Sequence, residues 1–261
     1  LYLISGTSSG LGRHLLGALG GRAFHRHQPA AEQALDDGRP YQAIIHCASN
    51  AAHDLTESDL PGFFEDHVGL TRALLGLPHE RFVFLSTIDL YPRDDQRHHA
   101  EEAIAIDELK GPYAVAKALS EQHVRENGNA PLILRPASLI GPYARRSTLI
   151  RMALDPHPQV SLTADSTFGV VAHETVETFM KTCLDQGIAG TFNLAARGTL
   201  RLSELAIALN KDIAFGNISY RVPRLDTQPA QDLCPSLGAS AMDVVMAFVQ
   251  QMAGNRGEAV G

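Results

Sequence analysis

No run of apolar residues in this 261-residue chain approaches the roughly 18 to 20 that a membrane span requires, so no membrane partner is expected. Positive charge is also in short supply. Lys and Arg number 22 against 29 Asp and Glu, a net charge of −7, which leaves no basic face of the kind that nucleic-acid binders carry. Cysteine is scarce: Cys47, Cys183 and Cys234 are odd in number, far apart and without C-x-x-C spacing, and a reducing cytoplasm is the expected location. Histidine is plentiful, at 12, yet "HRHQ" and "RHH" lack a third ligand at helical spacing, so no metal is expected. A signal-peptide pattern is missing as well. Leu1 already begins an apolar run, and the expectation is that the natural start lies upstream.

What is present is an alternation. Hydrophobic residues make up 44% and charged ones 20%, core enough for one large α/β unit, alone or with a small appendage. Short apolar runs predict strands at 1–5 ("LYLIS"), 22–27 ("RAFHRH"), 41–49, 81–87 and 130–138. Between them lie helical patterns: "LGRHLLGALG", a short one in "AAEQALDDG", "LPGFFEDHVGLTRALLGL", and a helix over 112–127. Near-continuous apolar strands alternating with helices imply a doubly wound α/β fold with a parallel sheet of Rossmann type. Past 138 the rhythm loosens. "LIGPYARRS" reads as loop, "TLIRMAL" as a short helix, "TFGVVAHETVETFMKTCLDQG" as a strand entering a helix, "GTFNLA" as a strand, and "LRLSELAIAL" and 236–254 as helices.

"SGTSSGLGR" sets Gly6, Gly10 and Gly12 between the first strand and the first helix. Glycine there lets the backbone turn tightly, approach a pyrophosphate and pack helix on strand, and Thr7, Ser8 and Ser9 add hydroxyls. The stretch from Gly6 to Gly12, Leu11 included, is therefore the candidate phosphate cradle. About twenty residues on, such folds carry an acid for the ribose of NAD or an arginine for the phosphate of NADP. No acid occurs between Arg13 and Glu32, whereas Arg26 is placed for a 2′-phosphate or for an ordinary solvated position. The cofactor is thus NADP or NAD, with the arginine favouring NADP. Residues 1–138 and about 168–196 are assigned to a dinucleotide-binding domain, and about 139–167 and 197–261 to a small C-terminal substrate lobe.

"GPYAVAK" places Tyr113 four residues before Lys117, on one face of a helix. A tyrosine of ordinary pKa, about 10, is a poor base at neutral pH, and a nearby ammonium stabilises its phenolate. "STIDLY" offers Ser86 and Thr87 at the carboxyl end of a buried strand, where open sheets bind ligands. Spacing alone leaves an ordinary amphipathic turn open.

Together, "SGTSSGLG", "IIHCAS", "FLSTIDLY", "PYAVAK", "LRPASLIGP", "VVAHETV" and "GTFNLA", in this order, resemble the extended short-chain dehydrogenase/reductase family over about residues 1 to 200. The likeness is to its sugar-nucleotide epimerases, dehydratases and reductases. It implies that Tyr113 is the general acid/base, that Lys117 holds the nicotinamide ribose and lowers the tyrosine pKa, and that Thr87 with Ser86 binds the reacting oxygen. It further implies that Ala48 and Ser49 lie against the cofactor and that Pro136 and Ser138 lie beneath the nicotinamide. A nucleotide sugar is the implied substrate, and a homodimer through helices is left open.

The chain departs from the family pattern in several places. Its G-x-x-x-G-x-G spacing resembles the compact branch, the aspartate often set against adenine has no counterpart, and His67 stands where an asparagine is common. Family dehydratases resemble "STDEVYG", with an acid and a base directly after the threonine. Here Ile88 cannot donate a proton and only Asp89 remains, which disfavours elimination and leaves epimerisation and keto-reduction. Arg145 and Arg146 are candidates for a substrate diphosphate, or for a solvated helix start. A non-catalytic NAD(P)-binding regulator or scaffold on the same fold is the alternative.

Overall fold

The computed structural model describes residues 1–50, 52 and 54–258; the last residues assigned to the lobe, 259–261, lie outside the described residues. The chain divides into two compact units, each described by itself. The first comprises Leu1–Pro92, Ala100–Arg135 and Cys183–Phe192, and the second Arg93–His99, Pro136–Thr182 and Asn193–Gly261. Of the residues assigned on sequence rhythm to the dinucleotide-binding domain, 93–99, 136–138, 168–182 and 193–196 group with the second unit in this division.

In the first unit the apolar runs become β1 (Tyr2–Ser5), β3 (Ala43–His46), β4 (Phe82–Leu85) and β5 (Leu132–Pro136). With β2 (Arg22–Ala23) and β6 (Gly190–Leu194) they form a six-stranded sheet in the order β6-β5-β4-β3-β1-β2. The described pairings from β2 across to β5 are parallel, and Ser5 lies opposite His46 in register. Leu3, Ile4, Ile44, Ile45, Phe82 and Phe84 are almost wholly buried, as strands covered on both faces must be. From β1 the chain passes through α1 (Gly10–Leu19) to β2 and then returns to the other side of β1 as β3. The carboxyl end of β1 is therefore the point where the winding reverses, the usual place for a ligand crevice.

Two helical stretches, α2 (Leu60–Phe64) and α3 (Leu70–Leu75), are joined by a π-helical turn, Glu65–Gly69. The longest helix of this unit, α4 (Gly111–Asn127), opens with Pro112 in its first turn, where the missing N–H is not needed. Two expectations changed form. "RAFHRH" pairs with β1 over only two residues, at the edge of the sheet. "AAEQALDDG" is a 3₁₀ turn, Ala30–Gln33, because the buried Gln33 side chain is used to tie the loop: it accepts from His25 N and donates to His25 O and Gln28 O.

The second unit has its own apolar core, which includes Ile140, Leu149, Met152, Val170, Leu202, Leu205 and Val245. Ser138–Ile140 pairs in parallel with Val170–Ala172 as a separate two-stranded sheet. Strands Gln159–Leu162 and Ala214–Ile218, unforeseen in the sequence pattern, pair with each other in parallel. Among the described residues no helix is long and apolar enough to cross a membrane.

Candidate active site

The three glycines after β1 have separate jobs. Gly6 has φ +74°, and a Cβ there would stand 2.7 Å from the backbone N of Ala48, so the turn is pressed against the end of β3. A Cβ on Gly12 would overlap the carbonyl oxygen of Gly6, which means α1 packs backbone to backbone on the turn. Gly10, at φ +61°, would point a Cβ into space with nothing within 4 Å. In the first turn of α1 no acidic residue stands, and the N-cap Ser9 makes no side-chain cap hydrogen bond. Unpaired N–H groups at the start of a helix attract anions, so this cradle fits the pyrophosphate of a dinucleotide. Thr7, Ser8 and Leu11 belong to the same turn.

Beside it runs a chain of hydrogen bonds whose proton positions follow from donor and acceptor counting. Thr71 donates to His67 O at 2.7 Å, so its oxygen receives His46 Nε2–H at 3.0 Å. His46 Nδ1 must then accept from the Ser5 hydroxyl at 2.7 Å, and Ser5 Oγ accepts the Ala48 N–H at 3.2 Å. His67 Nδ1 donates to Phe63 O at 3.0 Å, which leaves Nε2 to accept from Ser49 at 3.2 Å. Both imidazoles are held neutral. Burial, then the charge of Lys117 and the neighbouring His67, hold His46 well below the ordinary 6.5. For His67 burial again leads, and together with Lys117 it outweighs the Phe63 bond and Asp66, which act the other way. His67, the departure from the family's asparagine, also lies edge-on to Tyr113, with ring centroids 5.9 Å apart.

Tyr113, Lys117 and Glu121 follow one another at four-residue steps along one face of α4. Lys117 is only 2% exposed, an expensive place for an ammonium, and its Nζ donates to Leu85 O at 2.7 Å at the end of β4. It also lies 4.8 Å from the Phe84 ring centroid and 6.0 Å from that of Tyr113. Its charge reaches Cys47 too: crowding by protein atoms pushes that thiol up to about 12, and Lys117 offsets only part of the rise. Deeper in, Glu121 accepts from Arg135 Nε at 2.9 Å and Nη2 at 2.7 Å, and Arg135 Nη1 donates to the Tyr91 hydroxyl at 2.6 Å. This wholly buried pair anchors α4 to β5.

Ser86 and Thr87 end β4 in different states. The buried Ser86 hydroxyl lies toward Glu121 without a hydrogen bond of ordinary geometry. Thr87 caps the 3₁₀ turn Ile88–Leu90: its oxygen accepts Asp89 N–H at 3.1 Å and its proton points to Asp89 Oδ2 at 3.3 Å. Arg26 is joined to Asp66 at 2.5 Å. The glycine turn, Arg26, Ala48, Ser49, Ser86, Thr87, Tyr113 and Lys117 all fall in the first unit, whereas Pro136, Ser138, Arg145 and Arg146 belong to the second. There Arg146 Nη2 donates to both oxygens of Asp155, at 2.6 and 2.7 Å.

Sequence reasoning did not find Ser5, His46, Asn50, Asp66 or Glu121. Ser5 and His46 carried one signal, a polar residue in an otherwise apolar run, as in "LIS" and "IIH", whereas Glu121 stands among polar neighbours. Asp66 carried none.

Residues 3–161 match the model of the NAD dependent epimerase/dehydratase family. By sequence, no curated protein matches the chain. Among solved structures, a dTDP-4-dehydrorhamnose reductase from Clostridium acetobutylicum is similar at 14% identity and TM-score 0.77, over 97% of this chain and 99% of that one. UDP-glucuronic acid 4-epimerase from Bacillus cereus, in complex with UDP-glucuronic acid and NAD, is similar at 14% identity and TM-score 0.74, over 96% and 99%. A double mutant of DesIV, a dTDP-glucose 4,6-dehydratase from Streptomyces venezuelae with NAD bound, is similar at 20% identity and TM-score 0.76, over 98% of each chain. At such identities the likeness shows a shared fold, and three different named activities share it.

Proposed function

The chain belongs to the NAD dependent epimerase/dehydratase family, and from that premise we propose that it epimerises or reduces a hydroxyl-bearing or keto carbon of a nucleotide sugar. The observation that carries this is the Tyr113/Lys117 face of α4, with Lys117 buried at the end of β4 and its charge felt at the end of β3 beside the glycine turn. NAD, when bound, supplies the hydride acceptor or donor for the sugar carbon. Tyr113 takes the hydroxyl proton as the carbon is oxidised and returns one when it is reduced. Lys117 favours the phenolate by its charge, and the Leu85 carbonyl holds it in place. Thr87 binds the reacting oxygen after turning from Asp89, while Ser86, packed toward Glu121, supports α4. Arg145 and Arg146 take the substrate diphosphate, Arg146 exchanging Asp155 for phosphate.

Water elimination is not part of the proposal. Ile88 is buried and apolar, and Asp89 alone does not make the acid and base that elimination needs. For the cofactor we propose NAD, because Arg26, read from the sequence as a handle for NADP, is engaged by Asp66. A homodimer is a further expectation, tested by sedimentation.

The test is Tyr113→Phe, assayed with keto-sugar nucleotides and with epimerisable ones. Turnover is expected to fall by about 10² to 10⁴, the size of a lost general acid/base, with NADH binding intact. Binding without turnover in the unmutated protein, across a broad panel of nucleotide sugars, would support a regulator instead. A nucleotide that stays with the protein through purification points to the epimerase.

A further inference from the structure

Asp66 touches residues that follow two different strands. Arg26 comes three residues after β2 and Asn50 four residues after β3, the strands on either side of β1 in the sheet. Asp66, from the π-helical turn, meets both: Arg26 Nη2 at Oδ1, 2.5 Å, and Asn50 Nδ2 at Oδ2, 2.8 Å. One carboxylate thus spans the carboxyl ends that flank the glycine turn. It is not sealed off, since the Asp66 side chain is 25% exposed and that of Arg26 61%. Each carboxylate oxygen has used one acceptor direction and keeps another.

We propose that Asp66 determines nucleotide specificity, standing in for the acid that is missing between Arg13 and Glu32 and selecting NAD over NADP. The inference rests on the reading of the glycine turn as a dinucleotide cradle. The ribose hydroxyls of NAD can donate to a carboxylate held in place from two sides. A 2′-phosphate brings further negative charge to the same spot: Arg26 has N–H donors left over from its one bond to Asp66, but the carboxylate beside them repels the phosphate. The arginine that by sequence favours NADP is thereby turned into a support for NAD.

Titration of the full chain with NADH and with NADPH, followed by nucleotide fluorescence, tests this without reference to turnover. The unmutated protein is expected to bind NADH at least about tenfold tighter, as one to two hydrogen bonds to a charged group allow. Asp66→Asn keeps the side chain's shape; it is expected to weaken NADH by roughly tenfold and to strengthen NADPH severalfold. Adding Arg26→Ala to that variant should abolish the gain for NADPH. Arg26→Ala alone, at an exposed position, should keep the preference for NADH. A native preference for NADPH, or an unchanged ratio in Asp66→Asn with both nucleotides still bound, overturns the proposal and leaves the cradle reading standing. If neither nucleotide binds the unmutated protein, the cradle reading fails and the proposal with it.

Discussion

Glu121→Gln keeps the shape of a fully buried side chain on α4, one turn beyond Lys117, and removes its charge. Glu121 is met by Arg135 at 2.9 and 2.7 Å and by Arg125 at 2.7 Å, and glutamine turns an NH₂ toward some of those donors. The Arg135 guanidinium, 0% exposed, is then left without a counter-charge. Charges about 4 Å apart at an effective dielectric of about 20 attract by about 4 kcal/mol, and breaking a buried pair from one side costs roughly 3–5 kcal/mol. Divided by a urea slope of about 3 kcal/mol per molar, a loss of about 4 kcal/mol lowers the midpoint by about 1.3 M. Far-UV circular dichroism is the assay, since the chain has no tryptophan. The double variant Glu121→Leu/Arg135→Met should recover most of the loss, because an apolar pair has no charge left to strand. The acid limb gives a second reading. Burial pushes the Glu121 carboxyl up, but the Arg135 hydrogen bonds and charge outweigh it and hold it below 4.5. Its contribution is therefore present above pH 4.5 and is lost as pH falls through the lower folded value, and Glu121→Gln should lack that step. A midpoint shift below about 0.3 M would mean that water reaches the pair, and would refute the reasoning.

His46 and His67 are neutral when folded and have the ordinary 6.5 when unfolded, so their contribution is complete above pH 6.5 and declines as pH falls toward the folded values. The slope is at most about 1.4 kcal/mol per pH unit for each, and His46→Gln should flatten it; equal stability at about pH 7 and pH 5 in the unmutated protein would contradict the buried neutral network. Cys47, raised to about 12, should resist iodoacetamide in the folded protein at neutral pH and react once unfolded, whereas rapid labelling of the native state would show a thiolate there. Gly12→Ala should unfold or distort the turn, because its Cβ meets the Gly6 carbonyl. Gly10→Ala meets no neighbour and should cost only about 1–2 kcal/mol for its left-handed backbone while abolishing nucleotide binding; intact binding would place the phosphate elsewhere.

The parts read correctly from the sequence are those with a local cause. Short apolar runs became β1, β3, β4 and β5 because a strand covered on both faces has no polar side to show. Tyr113 and Lys117 share a face because four residues make about one turn. The glycine turn was equally legible, since left-handed backbone at Gly6 and Gly10 is a property of those residues themselves. Where the pattern misled, the cause lay outside it: Gln33 spends its amide on the loop in place of a helix.

By itself, then, the sequence determined a parallel α/β sheet, a glycine turn after β1 and a tyrosine–lysine face, each encoded in short local stretches. Only the tertiary structure decided the electrostatics: Lys117 seated on Leu85, Glu121 locked to Arg135, two histidines held neutral, and Arg26 paired with an aspartate 40 residues away. A charge acts through space with whatever the returning chain sets beside it. The residue that reshapes the cofactor reading, Asp66, becomes visible only once β2 and β3 stand on either side of β1.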